Sequence, residues 1–148
     1  MMRFRRTDGA PIGGVTRALL IAWALFLLSG FVVARVLKPD PRGFGTHQQL
    51  DLPECFFRLM FSRPCPGCGM TTCFSHFVRG EFVAAARANP AGILLAILCV
   101  VMIPWSLLSA ARGHLWLVDE PMSLLTVLIA VIGALSLLSW VLAVWRSF

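Results

Sequence analysis

The sequence predicts an all-α integral membrane protein, with three transmembrane helices and short interfacial amphipathic helices between the first and the second. Three observations carry this. Hydrophobic residues make up 58% of the 148 positions and charged residues only 14%, against about a quarter charged in a typical soluble domain. Apolar runs at about 18–37, 90–111 and 122–145 are each long enough to cross roughly 30 Å of hydrocarbon at about 1.5 Å per residue. Arg and Lys border these runs instead of interrupting them, placed to snorkel toward headgroups.

The length suits one unit: a basic flexible tail at 1–17, then a single membrane domain at 18–148. The net charge of +6 is spread through the tail and the connectors. That distribution favours anionic headgroups and argues against nucleic acid.

In the tail, Arg3, Arg5, Arg6 and Arg17 face a single acid, Asp8, and Gly9, Pro11, Gly13 and Gly14 disfavour a helix. The first span, 18–37, reads as an uncleaved anchor: its apolar run is long for a signal peptide and no small-x-small site follows. Pro39, Pro41, Gly43 and Gly45 make the next stretch irregular. From Glu54 to Phe61, Glu54 and Arg58 stand four apart and predict a paired helix face, with Phe and Met on the others. A short interfacial helix fits this, within a motif-bearing interfacial segment at 52–89.

Beyond the cysteines, 71–79 and 81–88 read as helices hinged at Gly80. Thr71 or Thr72 is the expected N-cap, or else Cys65 with Pro66 in the first turn. Asn89-Pro90 is a start signal for the second span, in which Pro104 is expected to introduce a kink. Arg112-Gly113-His114 ends it, and Asp119-Glu120-Pro121 precedes the third span, closed by Arg146. Ser136 and Ser139 are expected to bond neighbouring helices, and Trp105, Trp116, Trp140 and Trp145 to sit near the interfaces.

Chemistry is concentrated in Arg63-Pro64-Cys65-Pro66-Gly67-Cys68-Gly69-Met70-Thr71-Thr72-Cys73. Five cysteines cannot all pair within one chain; Cys99 lies in an apolar run and reads as a small buried hydrophobe, leaving Cys55, Cys65, Cys68 and Cys73 on the loop side. Three readings follow. Cys65 and Cys68 form a candidate redox pair, since a C-x-x-C at a helix start favours thiolate, although no thioredoxin-like strand–helix setting surrounds them. Cys65, Cys68, Cys73 and His76 have the spacing C-x2-C-x4-C-x2-H, a candidate zinc set. The third reading is structural: a thiol pair or disulfide that pins a turn at the membrane surface. This structural role leads, because no full catalytic constellation is present.

His47, His76 and His114 read as hydrogen-bonded or interfacial histidines, and Arg79, Glu81 and Arg87 as a solvated or headgroup-binding helix face. No Ser–His–Asp set, phosphate loop or paired intramembrane carboxylate appears, which argues against hydrolysis and nucleotide- or proton-driven transport.

The order Cys65-Pro66-Gly67-Cys68-Gly69-Met70-Thr71, then Gly80-Glu81 before an Ala-rich stretch, then Asn89-Pro90 opening a span, resembles a bacterial membrane family catalogued as domain of unknown function 2752. The resemblance covers about 55–145 and makes Cys65, Pro66, Cys68, Gly69, Thr71, Gly80, Glu81, Asn89 and Pro90 the motif residues. It implies two spans after the motif and no established activity. Thr72 stands where the family usually carries Arg, and the second connector, strongly basic in the family, has only Arg112 here.

Three spans put the tail and second connector on one side with five Arg/Lys, and the motif loop and carboxyl end on the other with eight. The clustered tail arginines outweigh charges dispersed over a long loop. The expectation is therefore a bacterial cytoplasmic-membrane protein with its amino terminus inside and the motif exoplasmic. It is expected to be an accessory or structural component embedded in lipid, with a membrane-protein partner or a second copy of itself.

Overall fold

The computed structural model describes residues 8–116 and 121–145. Arg3, Arg5, Arg6, Asp119, Glu120 and Arg146 lie outside these residues, as do the side chains of Asp8, Trp116 and Ser139. The chain is mostly helical. In order it forms β1 (Asp8–Pro11), α1 (Gly14–Val36), a 3-10 turn (Thr46–Leu50), α2 (Phe56–Phe61), α3 (Met70–Phe77), α4 (Phe82–Ala88), α5 (Pro90–Arg112), β2 (His114–Trp116) and α6 (Pro121–Trp145).

Helices α1 and α5, of 23 residues each, are long and apolar enough to cross a membrane. They pack against each other as the principal contact of the fold, and what they bury is small. The buried positions are Ala24 and Ala34 on α1, and Ala91, Gly92, Ala96, Ser106, Ser109 and Ala110 on α5. Large apolar side chains point outward: Phe26 is 66% exposed and Val32 62%, while Ala24 is fully buried. Small residues let helix backbones approach closely, the packing style of helices in lipid. α5 begins as its sequence dictates: Asn89 Oδ1 accepts the N–H of Gly92 at 2.8 Å with Pro90 in the first turn. It runs unbroken through Pro104 to Gly113, whose φ of +74° ends it. Within α6, Leu125–Leu138 is a shorter apolar stretch.

The two ends of the α1–α5 pair are built differently. At the amino-terminal end of α1, the first residues are not simply tail: β1 pairs antiparallel with β2, and the helix begins at Gly14. Ile12 N–H donates to Gly113 O at 2.9 Å. Arg17 donates through Nε to Ala110 O at 2.7 Å and through Nη2 to Ala111 O at 3.3 Å, closing the last carbonyls of α5.

At the other end Arg79 closes α1. Its Nη1 donates to Ala34 O at 3.2 Å, and its Nη2 to Arg35 O at 2.8 Å and Leu37 O at 2.7 Å. Nη1 also reaches Ser75 O and Oγ, and Ser75 Oγ donates to Leu37 O. The expectation that Arg79 belongs to a solvated or headgroup-binding face is corrected. A helix end leaves carbonyls without partners, and a planar guanidinium carries the donors to satisfy several at once.

Candidate metal centre

The site grows from two segments folded onto each other. α2 starts directly after Cys55 and ends at Ser62, whose φ of +52° turns the chain back. A tight turn follows, with Cys68 N–H to Cys65 O at 3.0 Å and Met70 N–H to Gly67 O at 3.1 Å. Gly69, at φ +82°, then opens α3. Neither Thr71, Thr72 nor Cys65 caps that helix as expected. Gly69 occupies the position because a Cβ there would lie 2.4 Å from Ala88 O and 2.8 Å from Gly43 O. A left-handed backbone at such a close approach admits only glycine.

Side chains from α6 and the start of α5 hold the turn by its carbonyls. Asn89 Nδ2 donates to Pro66 O at 3.2 Å and Cys68 O at 3.1 Å. Ser136 Oγ donates to Pro66 O at 3.2 Å, and Trp140 Nε1 donates to Pro64 O. Ser136, expected to bond a neighbouring helix, reaches this loop. Trp140 also meets Phe57 of α2 edge-on, with ring centroids 5.9 Å apart. The motif's Asn-Pro therefore both starts α5 and fixes the cysteine turn upon it.

This scaffold gathers Cys55, Cys65 and Cys68, whose sulfurs all lie within 4.8 Å of one another. All three are free thiols, with Cys65 Sγ donating to Cys68 Sγ at 3.4 Å and Cys65 N–H to Cys68 Sγ at 3.2 Å. The candidate ligand set Cys65, Cys68, Cys73 and His76 is not the group brought together. Cys73 is fully buried, seated against α5 where a Cβ on Gly92 would lie 3.0 Å from its sulfur. His76 is engaged through Nδ1 with Glu81 Oε2 at 2.5 Å. Cys55 takes the third place. Its presence among the loop-side thiols was legible, but not the reversal at Ser62 that brings it to the turn.

The thiols sit in unequal surroundings. Burial pushes Cys55 up, but N–H groups of Arg58 and Phe57 and the thiols of Cys65 and Cys68 outweigh it, bringing Cys55 down to about 7. Burial, with the neighbouring thiols on the same side of the balance, pushes Cys68 up to about 12. Burial alone pushes Cys73 up to about 11. Cys55 is thus more acidic than Cys68 beside it.

The cluster opens into a cavity of about 220 Å³, also lined by His47, Glu54, Arg58 and Thr71. Glu54 and Arg58 do not form the expected ion pair. α2 begins after Glu54, whose Oε1 accepts from Gln48 Nε2 at 3.2 Å, and the Arg58 guanidinium stacks on Phe44, 3.4 Å from its centroid. His47 Nε2 contacts Pro53 O at 3.2 Å. Of the remaining motif residues, Gly80 has φ +77° and makes the hinge between α3 and α4, and Glu81 occupies the cap position of α4 while holding His76. Thr72, at the position of the family's usual Arg, is buried and shares a 2.8 Å hydrogen bond with Thr46.

No curated protein and no solved structure matches this chain. The family described as Protein of unknown function (DUF2752) matches residues 55–103. The matched segment begins at Cys55, contains Cys65, Cys68, Gly69, Gly80, Glu81, Asn89 and Pro90, and extends into α5, which supports the resemblance to that family over this segment.

Proposed function

We propose that this chain is an integral membrane protein that holds a thiophilic metal ion at the membrane surface through Cys55, Cys65 and Cys68. One observation carries the reading: three sulfurs from two separate segments converge within 4.8 Å. Sulfurs sharing an ion at about 2.3 Å stand about 3.8 Å apart, so small side-chain movements bring them into place.

The outward-facing Leu, Val and Phe of α1 and α5 support lipid as the surrounding medium, with α6 as a third span. Phe56, Leu59, Met60 and Phe61 of α2 are all exposed. This apolar surface suits an interfacial helix lying beside the metal loop. The clustered tail arginines favour the amino terminus inside and the loop exoplasmic. The ion would lock α2 to the turn, an accessory or structural role rather than a catalytic one.

Metal analysis of the full chain, purified in detergent under reducing conditions, tests the reading. It expects one ion per chain, lost in Cys55→Ser and Cys65→Ser. A metal-free protein whose Cys65 and Cys68 are found disulfide-bonded when cells are acid-quenched and thiol-trapped without reductant would replace it with the redox reading. Membrane-impermeant thiol labelling of intact cells tests the side.

A further inference from the structure

The identity of the ion follows from the donor set, and the argument rests on the metal-site reading above. The cluster is all sulfur: among the described residues, no His, Asp or Glu joins Cys55, Cys65 and Cys68 within the same 4.8 Å group. The nitrogen and oxygen donors that line the cavity are turned elsewhere. His47 Nε2 lies 3.2 Å from Pro53 O, and Glu54 Oε1 accepts from Gln48. Outside the cavity, Cys73 is seated against Gly92 and His76 is held by Glu81.

A structural zinc site takes four protein ligands, all-cysteine sets among them, and a catalytic one takes three with water in the fourth position. Soft thiolates suit zinc and cuprous copper alike, so the count decides: a monovalent d10 ion is complete with the three sulfurs this cluster supplies. The turn is also held from outside the cluster: Asn89, Ser136 and Trp140 bind the carbonyls of Pro64, Pro66 and Cys68. This braces the two sulfurs of the turn, while Cys55 approaches from α2.

We propose that the site takes one cuprous ion in three-coordinate, all-sulfur geometry, with the cavity as its route of entry and exit. Binding replaces the thiol protons by Cu(I)–S bonds and releases those protons to solvent. No electron is transferred.

The test uses the full chain in detergent under anaerobic, reducing conditions, loaded separately with Cu(I) and Zn(II). X-ray absorption of the Cu(I) form should show three sulfur neighbours and no nitrogen or oxygen. The Cys55→Ser protein should show two sulfurs, and competition with a chromophoric Cu(I) chelator should report weakening beyond the roughly 10–100-fold expected for loss of an outer-shell partner. Cys65→Ser, on the other segment, should weaken binding likewise, and Cys73→Ala should leave the sulfur count at three. Two sulfurs in the unaltered chain, with Cys55→Ser neutral, would overturn the geometry. Tight Zn(II) with a nitrogen or oxygen neighbour that Cu(I) fails to displace would overturn the choice of ion, leaving the metal-site reading standing. Failure of both ions to bind would remove both.

Discussion

The two ends of the α1–α5 pair solve the same problem with different investment. Each helix ends in carbonyls that its own backbone leaves unpaired, and each end is closed by an arginine from the other side of the fold. At the ribbon end Arg17 makes two bonds, to Ala110 and Ala111, and a Cβ on Gly113 would meet only Arg17 Nη1, at an ordinary contact distance of 3.9 Å. At the cysteine end Arg79 reaches three carbonyls of α1 and both oxygens of Ser75, and Gly69 is pressed between two carbonyls. The ribbon end closes a helix; the cysteine end also positions thiols, and that takes a tighter fit.

The largest contrast should come from the two glycines. Gly69→Ala adds steric overlap to a left-handed φ and should destabilise the protein by about 4 kcal/mol, at the upper end of single-substitution effects. Gly113→Ala, with the same hand of backbone but only an ordinary contact to Arg17, should lose only about 1 kcal/mol. Reversible unfolding of the two variants in detergent measures both, and equal losses would erase the distinction between the ends.

Next come the arginines. Arg79→Ala should lower stability by about 3 kcal/mol, because hydrogen bonds to charged groups are each worth about 1.5–3 kcal/mol and are not additive. Arg17→Ala should lose about half as much on the same scale. Arg79→Lys should recover little, since an ammonium cannot fork across three carbonyls. Asn89→Ala removes a helix cap worth about 1 kcal/mol together with two bonds to the turn. Its signature should be metal affinity falling along with stability, which Arg17→Ala should not reproduce.

The smallest effect concerns acidity in the metal-free protein. Only thiolate is alkylated, so the maleimide rate at Cys55 should rise with pH and level off above about 7. Cys73, with its thiol raised to about 11, should still be gaining rate at pH 9. A depressed thiol stabilises the fold through its thiolate. This contribution is fully present above the unstrained value of 9.0 and disappears as pH falls through about 7. Equal pH profiles at Cys55 and Cys73, read by peptide mass spectrometry, would contradict the contrast.

Much of this was legible in the sequence. The two long apolar helices, the Asn89-Pro90 start, the Gly80 hinge and the crowded turn at Cys65–Gly69 are all local signals, carried by residue types with strong conformational preferences. What was hidden depends on distant approach. Arg79 looks like any surface cation until the end of α1 is placed beside it. Cys73 and His76 have a ligand's spacing, but spacing cannot reveal that α5 claims one and Glu81 the other. Cys55 needed the reversal at Ser62, a non-glycine residue at φ +52° that gives no turn signature. Gly69 was read as a motif glycine, yet its reason lies in the carbonyls of Gly43 and Ala88, one from each flank.

The Arg79 closure also says which pieces of this chain can be separated. The peptide oxygens of Ala34, Arg35 and Leu37 receive their donor from a residue more than forty positions downstream. A fragment that stops before residue 79 therefore leaves its first helix with a frayed carboxyl edge. Expressing the amino-terminal helix alone, or grafting it onto another protein, removes the bond partners that finish it.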